Sequence, residues 1–170
     1  MKRRSVTARR EGPGGQMTFE FRQWGVLSDG VLDMTVEAEE PADPVKGYVP
    51  CYRFKVARHG DPQKVGEVRL RVGSSQATPS LMTSGHIGYE INEDARGHGF
   101  AARACVLIGE VAVAHGLRPV LITCDPTNLA SKRTCERIGA VLVGTYDVPP
   151  DHPMYLKGRR TVLRYEWRPS

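Results

Sequence analysis

The chain has 170 residues, a length that suits one domain able to bury its own core. Forty per cent of the residues are apolar and 25% are charged, which is an ordinary composition for a globular protein. No apolar run approaches the roughly 18 residues of a membrane span, so we expect no membrane-spanning segment.

The net charge of +5 arises entirely in the first ten residues, because residues 11–170 balance to zero. We expect residues 1–16 to be a disordered leader, since the segment ends in Gly-Pro-Gly-Gly. It leads into no apolar run, so we expect no secretory signal. A short arm without aromatic residues carries little recognition chemistry. Nucleic acid is therefore not an expected partner, apart from contacts that this arm could make through its charge. The arm could equally be a leader that only aids solubility.

The cysteines and histidines show none of the spacings that bind metals. The four cysteines contain no Cys-x-x-Cys pair and are Cys51, Cys105, Cys124 and Cys135. We expect buried thiols in a reducing cytoplasm and no metal site.

Strand patterns dominate the first half of the chain. Residues 17–24 alternate between apolar and polar side chains like a strand, whereas residues 27–38 are ambiguous. Residues 39–50 form a loop punctuated by prolines. Residues 51–73 predict a hairpin whose two alternating runs are joined by His-Gly-Asp-Pro, and residues 86–91 predict a further strand.

A helix and a buried strand follow. Residues 99–115 place apolar side chains on one helical stripe, and Gly116 and Pro119 are the expected end signals. Residues 120–124 are continuously apolar, a pattern typical of a strand that is buried on both faces.

The last part of the chain predicts a second helix and two strands. Asp125 is a plausible N-cap with Pro126 at the first helical position, and Gly139 closes the helix. Residues 140–146 and 161–167 predict strands, joined by an irregular loop of the length that often carries function. We therefore expect residues 17–170 to form one α/β or α+β domain, with helices packed on a single sheet.

The turn before the first helix reads INEDARGHGFAARA over residues 91–104 and contains two glycines one residue apart. A P-loop is excluded because no Gly-Lys-Ser/Thr follows. A dinucleotide fingerprint is formally satisfied by Gly97, Gly99 and Ala102. However, five residues separate the strand from the first glycine, whereas the dinucleotide turn is tight. Only one helix and two strands follow Asp125, too few for a second nucleotide-binding half.

The third interpretation rests on Arg96-x-x-Gly99-x-Ala101, which resembles the Gln/Arg-x-x-Gly-x-Gly/Ala signature of the GNAT superfamily of acyl-CoA-dependent N-acyltransferases. Small residues let successive backbone N–H groups converge on a pyrophosphate, and the helix that follows adds its dipole. The candidate coenzyme contacts in this region are Ile91, Arg96, Gly97, His98, Gly99, Phe100 and Ala101. A glycine-rich helix start that binds nothing stays open as the alternative.

A second segment, residues 123–140, resembles the other half of the GNAT cofactor site. In that pattern an Asn and a small residue three positions later open a helix that ends in Gly, here Asn128, Ser131 and Gly139. The resemblance implies that Asn128 reaches the pantetheine arm, and that the strand before it splays from the earlier one to admit that arm. Asn128 could also serve as a cap on its own helix.

The resemblance covers residues 17–167 and carries expectations about fold and function. It implies a mixed, mostly antiparallel sheet with splayed central strands and packed helices. It also implies an N-acetyltransferase that transfers an acetyl group from acetyl-CoA, without a metal, to a primary amine on a small molecule or peptide. A homodimer is left open. The alternative is a GNAT-fold module that senses acyl-CoA, or engages a partner, without turnover.

The same resemblance suggests the catalytic groups. Glu90 lies where several GNAT members carry a catalytic Glu, although it could equally be a solvent-facing strand residue; His86, on the same face, is the reserve base. The oxyanion would be stabilised by a backbone N–H near Ile91. Many members carry a Tyr seven residues after the Asn as the proton donor to the CoA thiolate. Here that position is Cys135, which could donate the proton or simply be a small packing residue.

The acceptor site is expected between two loops, residues 39–50 and residues 147–160. Their carboxylates could attract a cationic amine, although charges in loops usually face water. They are Glu39, Glu40, Asp147 and Asp151.

Overall fold

The computed structural model describes residues 19–170, so the expectations for the leader, residues 1–16, lie outside the described residues. Within that range the chain forms eight strands: β1 (Leu27–Ser28), β2 (Leu32–Glu40), β3 (Cys51–Arg58), β4 (Lys64–Arg71), β5 (Ile87–Ile91), β6 (Val120–Cys124), β7 (Val141–Asp147) and β8 (Thr161–Trp167). It also forms four α-helices: α1 (Ser80–Ser84), α2 (Phe100–Ala114), α3 (Leu129–Arg137) and α4 (Pro153–Leu156). A short 3₁₀ helix spans Glu93–Ala95.

All eight strands belong to one sheet in the order β1-β2-β3-β4-β5-β6-β8-β7. Neighbouring strands are antiparallel except for β5 and β6, which are parallel. The predicted mixed, mostly antiparallel fold is thus confirmed. No helix of residues 19–170 is long and apolar enough to cross a membrane.

The core lies between one face of the sheet and helix α2. Tyr52, Phe54 and Leu70 on β3 and β4 are fully buried there, together with Ile108 and Val111 on the predicted stripe of α2. Burying each such side chain stabilises the fold by about 1.5–3 kcal/mol. We call this face of the sheet the core face.

The opposite face, which we call the open face, carries α1. The Thr123 hydroxyl of β6 donates to the Thr83 carbonyl of α1 (2.7 Å), and the Arg164 guanidinium of β8 donates through Nε to the Met82 carbonyl (2.9 Å). Because side chains alternate along a strand, Thr123 and Arg164 point away from the core face. Helix α1 and the core helix α2 therefore lie on opposite faces.

Strands β5 and β6 part after a single registered pair, Ile87 and Ile122. Just before that pair, the His86 N–H donates to the Leu121 carbonyl (2.7 Å) and holds this end closed. Beyond it, residues 88–91 of β5 have no registered partner on β6. These are the splayed central strands that the resemblance implies.

The predicted strand at residues 17–24 is wrong for its described part, which forms no strand. Phe19 and Phe21 do pack against the core, with ring centroids 6.5 and 5.0 Å from that of Tyr52. The Arg22 backbone N–H donates to the Tyr52 hydroxyl (2.7 Å) rather than to a neighbouring strand. The alternation therefore reflects side-chain burial in an extended segment, without the backbone pairing that defines a strand.

The predicted start of the second helix is also wrong, because α3 begins after Asn128 rather than at Pro126. Asp125 instead closes a local turn: its Oδ1 accepts from the N–H of Thr127 (2.8 Å) and from the Thr127 hydroxyl (2.6 Å). Asp and Asn both cap helices, and here the later residue takes that role.

The other predicted elements agree with the structure to within one or two residues. Helices α1 and α4 were not predicted, because four or five residues are too few to show a helical period.

Candidate functional site

The turn between β5 and α2 requires glycine at two positions. Gly97 and Gly99 have φ angles of +83° and +73°, values that cost other residues about 1–2 kcal/mol. Gly99 is the N-cap residue of α2, and no side chain caps this helix. The N–H groups of its first turn are therefore available to an anion, which the helix dipole also favours.

Arg96 and Ile91 tie this turn to the end of β5. Arg96 is exposed, and its Nε donates to the Ile91 carbonyl at 3.0 Å. Arg96 thus shapes the turn and brings a positive charge to it.

His98, Phe100 and Ala101 occupy the turn and the start of α2. Nδ1 of the exposed His98 ring lies 3.2 Å from the Ala95 carbonyl oxygen. The ring stacks on that of Phe100 with 5.3 Å between their centroids. The Phe100 side chain is buried, so only its backbone can contact a ligand in the turn. Ala101 is half-buried and adds no bulk beyond a methyl group.

Arg137 is a residue of this site that the sequence reasoning missed. It lies in the last turn of α3, and a Cβ atom added to Gly99 would meet its Nη1 at 3.0 Å. A second guanidinium therefore adjoins the turn. Nothing local in the sequence indicated it, because its position depends on how α3 packs beside α2.

The parted edge of β5 offers backbone hydrogen-bonding groups. The Arg71 N–H donates to the His86 carbonyl (2.8 Å) and the Asn92 N–H to the Val65 carbonyl (2.8 Å), so in the β4–β5 register the backbone groups of Gly88 and Glu90 face β4. Antiparallel bonding alternates, so the N–H groups of Tyr89 and Ile91 point towards the parting. The Ile91 N–H is therefore on the side where the predicted oxyanion donor would have to be.

Asn128 and Ser131 lie together at the start of α3. Oδ1 of Asn128 accepts from the Ser131 N–H at 3.0 Å, so Asn128 does cap its own helix. This bond uses the amide oxygen and leaves the amide nitrogen of Asn128 to donate to a ligand.

Tyr89 reaches α3 from β5. Its hydroxyl lies 2.6 Å from Oγ of Ser131, which is itself buried, and burial raises the pKa of the phenol. Tyr89 points away from Glu90, as its place in the strand predicts. That α3 covers this side of β5 could not be predicted from the pattern.

Cys135 is completely buried one helical turn further along α3. Burial raises the pKa of its thiol to about 12, against an ordinary thiol value near 8.5. A thiol that retains its proton so strongly is a poor acid, so these observations favour the packing role of Cys135.

Glu90 lies on the open face, paired in register with Glu67 of β4. Its side chain is exposed, so water has direct access to the carboxylate. A water molecule could therefore relay a proton from an amine to this carboxylate.

His86 is not free to act as the reserve base. Its ring is buried, and Nδ1 accepts from the Leu121 N–H at 2.9 Å, so the proton must be on Nε2, which donates to the Gly73 carbonyl at 3.0 Å. Burial also lowers its pKa. His86 is a neutral bridge between backbone groups.

A cavity of about 760 Å³ lies on the open face, and both loops predicted to form the acceptor site contribute to its lining. The ends of β3 and β4, together with α1, complete it. Of the four loop carboxylates only Glu40 and Asp151 line it, whereas Glu39 and Asp147 do not. Four basic side chains also line it: Lys46, Arg69, Arg71 and Lys157. The lining does not support the expected attraction of a cationic amine.

No group of three or more His, Cys, Asp or Glu side chains in the described chain could hold a metal ion.

An acetyltransferase (GNAT) domain model matches residues 22–141. The chain therefore belongs to the GNAT acetyltransferase family. No curated protein matches it by sequence.

Solved structures of acetyltransferases share this fold at low sequence identity. The microcin C7 self-immunity acetyltransferase MccE, in complex with acetyl-CoA and AMP, aligns with a TM-score of 0.54, 19% identity and 69% of this chain. This chain spans only 61% of that protein's length. RimL, an acetyltransferase of ribosomal protein L7/L12, holds coenzyme A in a disulfide with one of its own cysteines. It aligns with a TM-score of 0.61 and 13% identity over 85% of this chain and 98% of its own. A putative ribosomal-protein-serine acetyltransferase from Vibrio cholerae aligns with a TM-score of 0.58 and 16% identity over the same shares of the two chains.

Proposed function

We propose that this chain is an N-acetyltransferase that moves an acetyl group from acetyl-CoA to a primary amine, by direct attack of the amine on the thioester. The observation that carries the proposal is the uncapped start of α2 behind two left-handed glycines, directly beside the parted edge of β5.

The residues present fit the coenzyme. Backbone N–H groups from Gly97 to Ala101 would bind the pyrophosphate, and the guanidinium groups of Arg96 and Arg137 would neutralise its charge. The amide nitrogen of Asn128 and the free edge of β5 would bind the amides of the pantetheine arm. When bound, acetyl-CoA supplies the activated acyl group.

The chain's own groups then have two tasks at the thioester. The Ile91 N–H, which points towards the parting, would donate to the carbonyl oxygen as negative charge develops on it. Such a donor is worth roughly 2.7–4 kcal/mol of barrier. Glu90 would accept the proton of the amine through a water molecule, from the open face on which the acceptor cavity lies. The departing thiolate would take its proton from water, since Cys135 is a poor acid.

A second candidate is an acyl-CoA sensor of the same fold without turnover. It is favoured by the exposure of Glu90 and the raised pKa of Cys135, because a buried base and a readily released proton are what turnover at these two positions would use.

The experiment combines purified protein, acetyl-CoA and a panel of amines and peptides, with products identified by mass spectrometry. The enzyme should produce an acetylated amine and free coenzyme A together. A sensor should be stabilised against heat by acetyl-CoA yet give no product with any amine, and that result would refute the transferase.

A further inference from the structure

Arg71 is the last residue of β4, and its side chain lines the cavity on the open face. The side chain is partly buried, and burial lowers the pKa of the guanidinium. Within residues 19–170, no carboxylate oxygen lies within 4.0 Å of a guanidinium nitrogen of Arg71. Within the same residues the Arg71 side chain makes one hydrogen bond, a long one from Nη1 to the Gly85 carbonyl at 3.4 Å. A desolvated cation without a counter-charge is unfavourable unless a ligand supplies one.

The other basic groups of the cavity differ from Arg71 in being exposed or already paired. Nε of Arg69 lies 2.9 Å from a carboxylate oxygen of Glu67, and Nζ of Lys46 lies 3.5 Å from one of Asp43. Lys157 is exposed on the loop that follows α4. Solvent screens the charges of exposed groups, so Arg71 would attract an anion in the cavity more strongly than the other three side chains would.

The carboxylates of the cavity lie beyond ion-pair distance of Arg71. Glu40 lies 3.7 Å from Nη1 of Arg53, on the neighbouring strand, and Asp151 is exposed on the loop between β7 and β8. The lining therefore carries more positive than negative charge, with its least solvated cation unpaired.

Arg71 also lies beside the place where the strands part. A Cβ atom at Gly88 would be 3.4 Å from Nη1 of Arg71, so the missing side chain makes room for the guanidinium. Gly88 directly follows Ile87, the last residue of β5 that pairs with β6, and shares the open face with Glu90. An anion bound to Arg71 would thus be held next to the parting of the strands, on the same face of β5 as Glu90.

We infer that the acceptor carries an anionic group, a carboxylate or a phosphate, close to its amine, and that Arg71 binds this group. The inference rests on the proposed function, whose acceptor it narrows. A guanidinium offers two parallel N–H donors, which match the paired oxygens of both anions. The cavity is on the opposite face from α2 and α3, so this anion is distinct from the phosphates of the coenzyme.

The test compares matched acceptors with and without an anionic group. The pairs are leucine with leucinamide, γ-aminobutyrate with γ-aminobutyramide, and phosphoethanolamine with ethanolamine, each assayed for acetyl transfer. In at least one pair the kcat/KM of the anionic member should be about 10-fold higher or more than that of its partner. Whether this pair contains a carboxylate or a phosphate identifies the anion that Arg71 binds. If the uncharged or cationic members are preferred in every pair, the inference is overturned while the transferase stands. If no amine is acetylated, the proposed function fails and the inference fails with it.

Arg71 variants connect any preference to this residue. Arg71→Met should abolish the preference and leave the KM for acetyl-CoA unchanged, and Arg71→Lys should retain part of it. Lys55→Met is the control, because it removes one positive charge from the same face outside the cavity and should keep the preference. If Arg71 had a merely structural role, Arg71→Met would lower kcat/KM equally for both members of each pair. That result would overturn the inference even if the wild type prefers the anionic members.

Discussion

The turn at residues 96–101 and the cavity on the open face lie on opposite sides of the sheet and are built by different means. The turn uses backbone groups from one short segment, made possible by glycines at positive φ. The cavity uses side chains from four segments spread over residues 40–157. A ligand that every member of a family shares can be bound by backbone, whereas a particular acceptor must be distinguished by side chains.

His86 holds the closed end of the parted strands and should show the largest effect on stability. Replacing it with Phe leaves the Leu121 N–H and the Gly73 carbonyl without partners, at a cost of about 2–5 kcal/mol in the free energy of unfolding. Urea unfolding measures this cost. A loss below about 1 kcal/mol would show that the bridge is dispensable.

The pH dependence of stability provides a second readout for His86. Burial lowers its pKa in the folded state, so the unfolded chain binds more protons as the pH falls below about 6.5. Stability should therefore be fully present above that pH and decline below it. His86→Phe should make this decline shallower than in the wild type.

Replacing Glu90 tests whether the open face supplies the base for the amine. Glu90→Gln should lower kcat by roughly 10²-fold while the affinity for acetyl-CoA is unchanged, since the base acts on the amine and not on the coenzyme. Steady-state kinetics and coenzyme titration measure the two quantities separately. A wild-type kcat would make Glu90 an ordinary surface residue.

Replacing Arg137 tests whether the turn at residues 96–101 binds the coenzyme. Arg137→Met should weaken coenzyme A binding by about 10-fold, because it removes a guanidinium beside Gly99, and should leave the choice between acceptors unchanged. Calorimetric titration gives the affinity, and competition between two amines gives the choice. If the variant binds coenzyme A normally but prefers a different acceptor, the turn and the cavity do not have the separate roles proposed for them.

Cys135 should show the smallest effect on turnover. Cys135→Ala should keep kcat within about 2-fold, because the buried thiol is a poor acid, and should only lower stability slightly. A loss of roughly 10²-fold, partly restored by Cys135→Tyr, would instead make the thiol the proton donor.

The difference between the regions also explains what could be predicted from the sequence. Arg96, Gly99 and Ala101 are close in sequence and each has a conformational or steric reason for its identity, so their pattern indicates a turn. Arg71 shows no such pattern, because its unpaired charge depends on which loops surround it.

The errors in the predicted elements have a similar cause. The segment around Phe19 alternates like a strand, yet alternation does not reveal whether a strand edge is available to pair with it. Asp125 and Asn128 are both acceptable caps three residues apart, and only the packed helix distinguishes them.

The most direct test of the central claim is a calorimetric titration of coenzyme A into the wild type, Gly99→Ala and Gly116→Ala. Gly99 and Gly116 lie at the two ends of α2 with the same φ of +73°, so both variants place an alanine at the same unfavourable φ. A Cβ at Gly116 meets nothing within 4 Å, whereas one at Gly99 projects beside Arg137 at the start of the helix. We predict that the wild type and Gly116→Ala bind coenzyme A and that Gly99→Ala binds it at least 10-fold more weakly. Equal binding by the two variants, or no binding by the wild type at millimolar coenzyme A, would contradict the account.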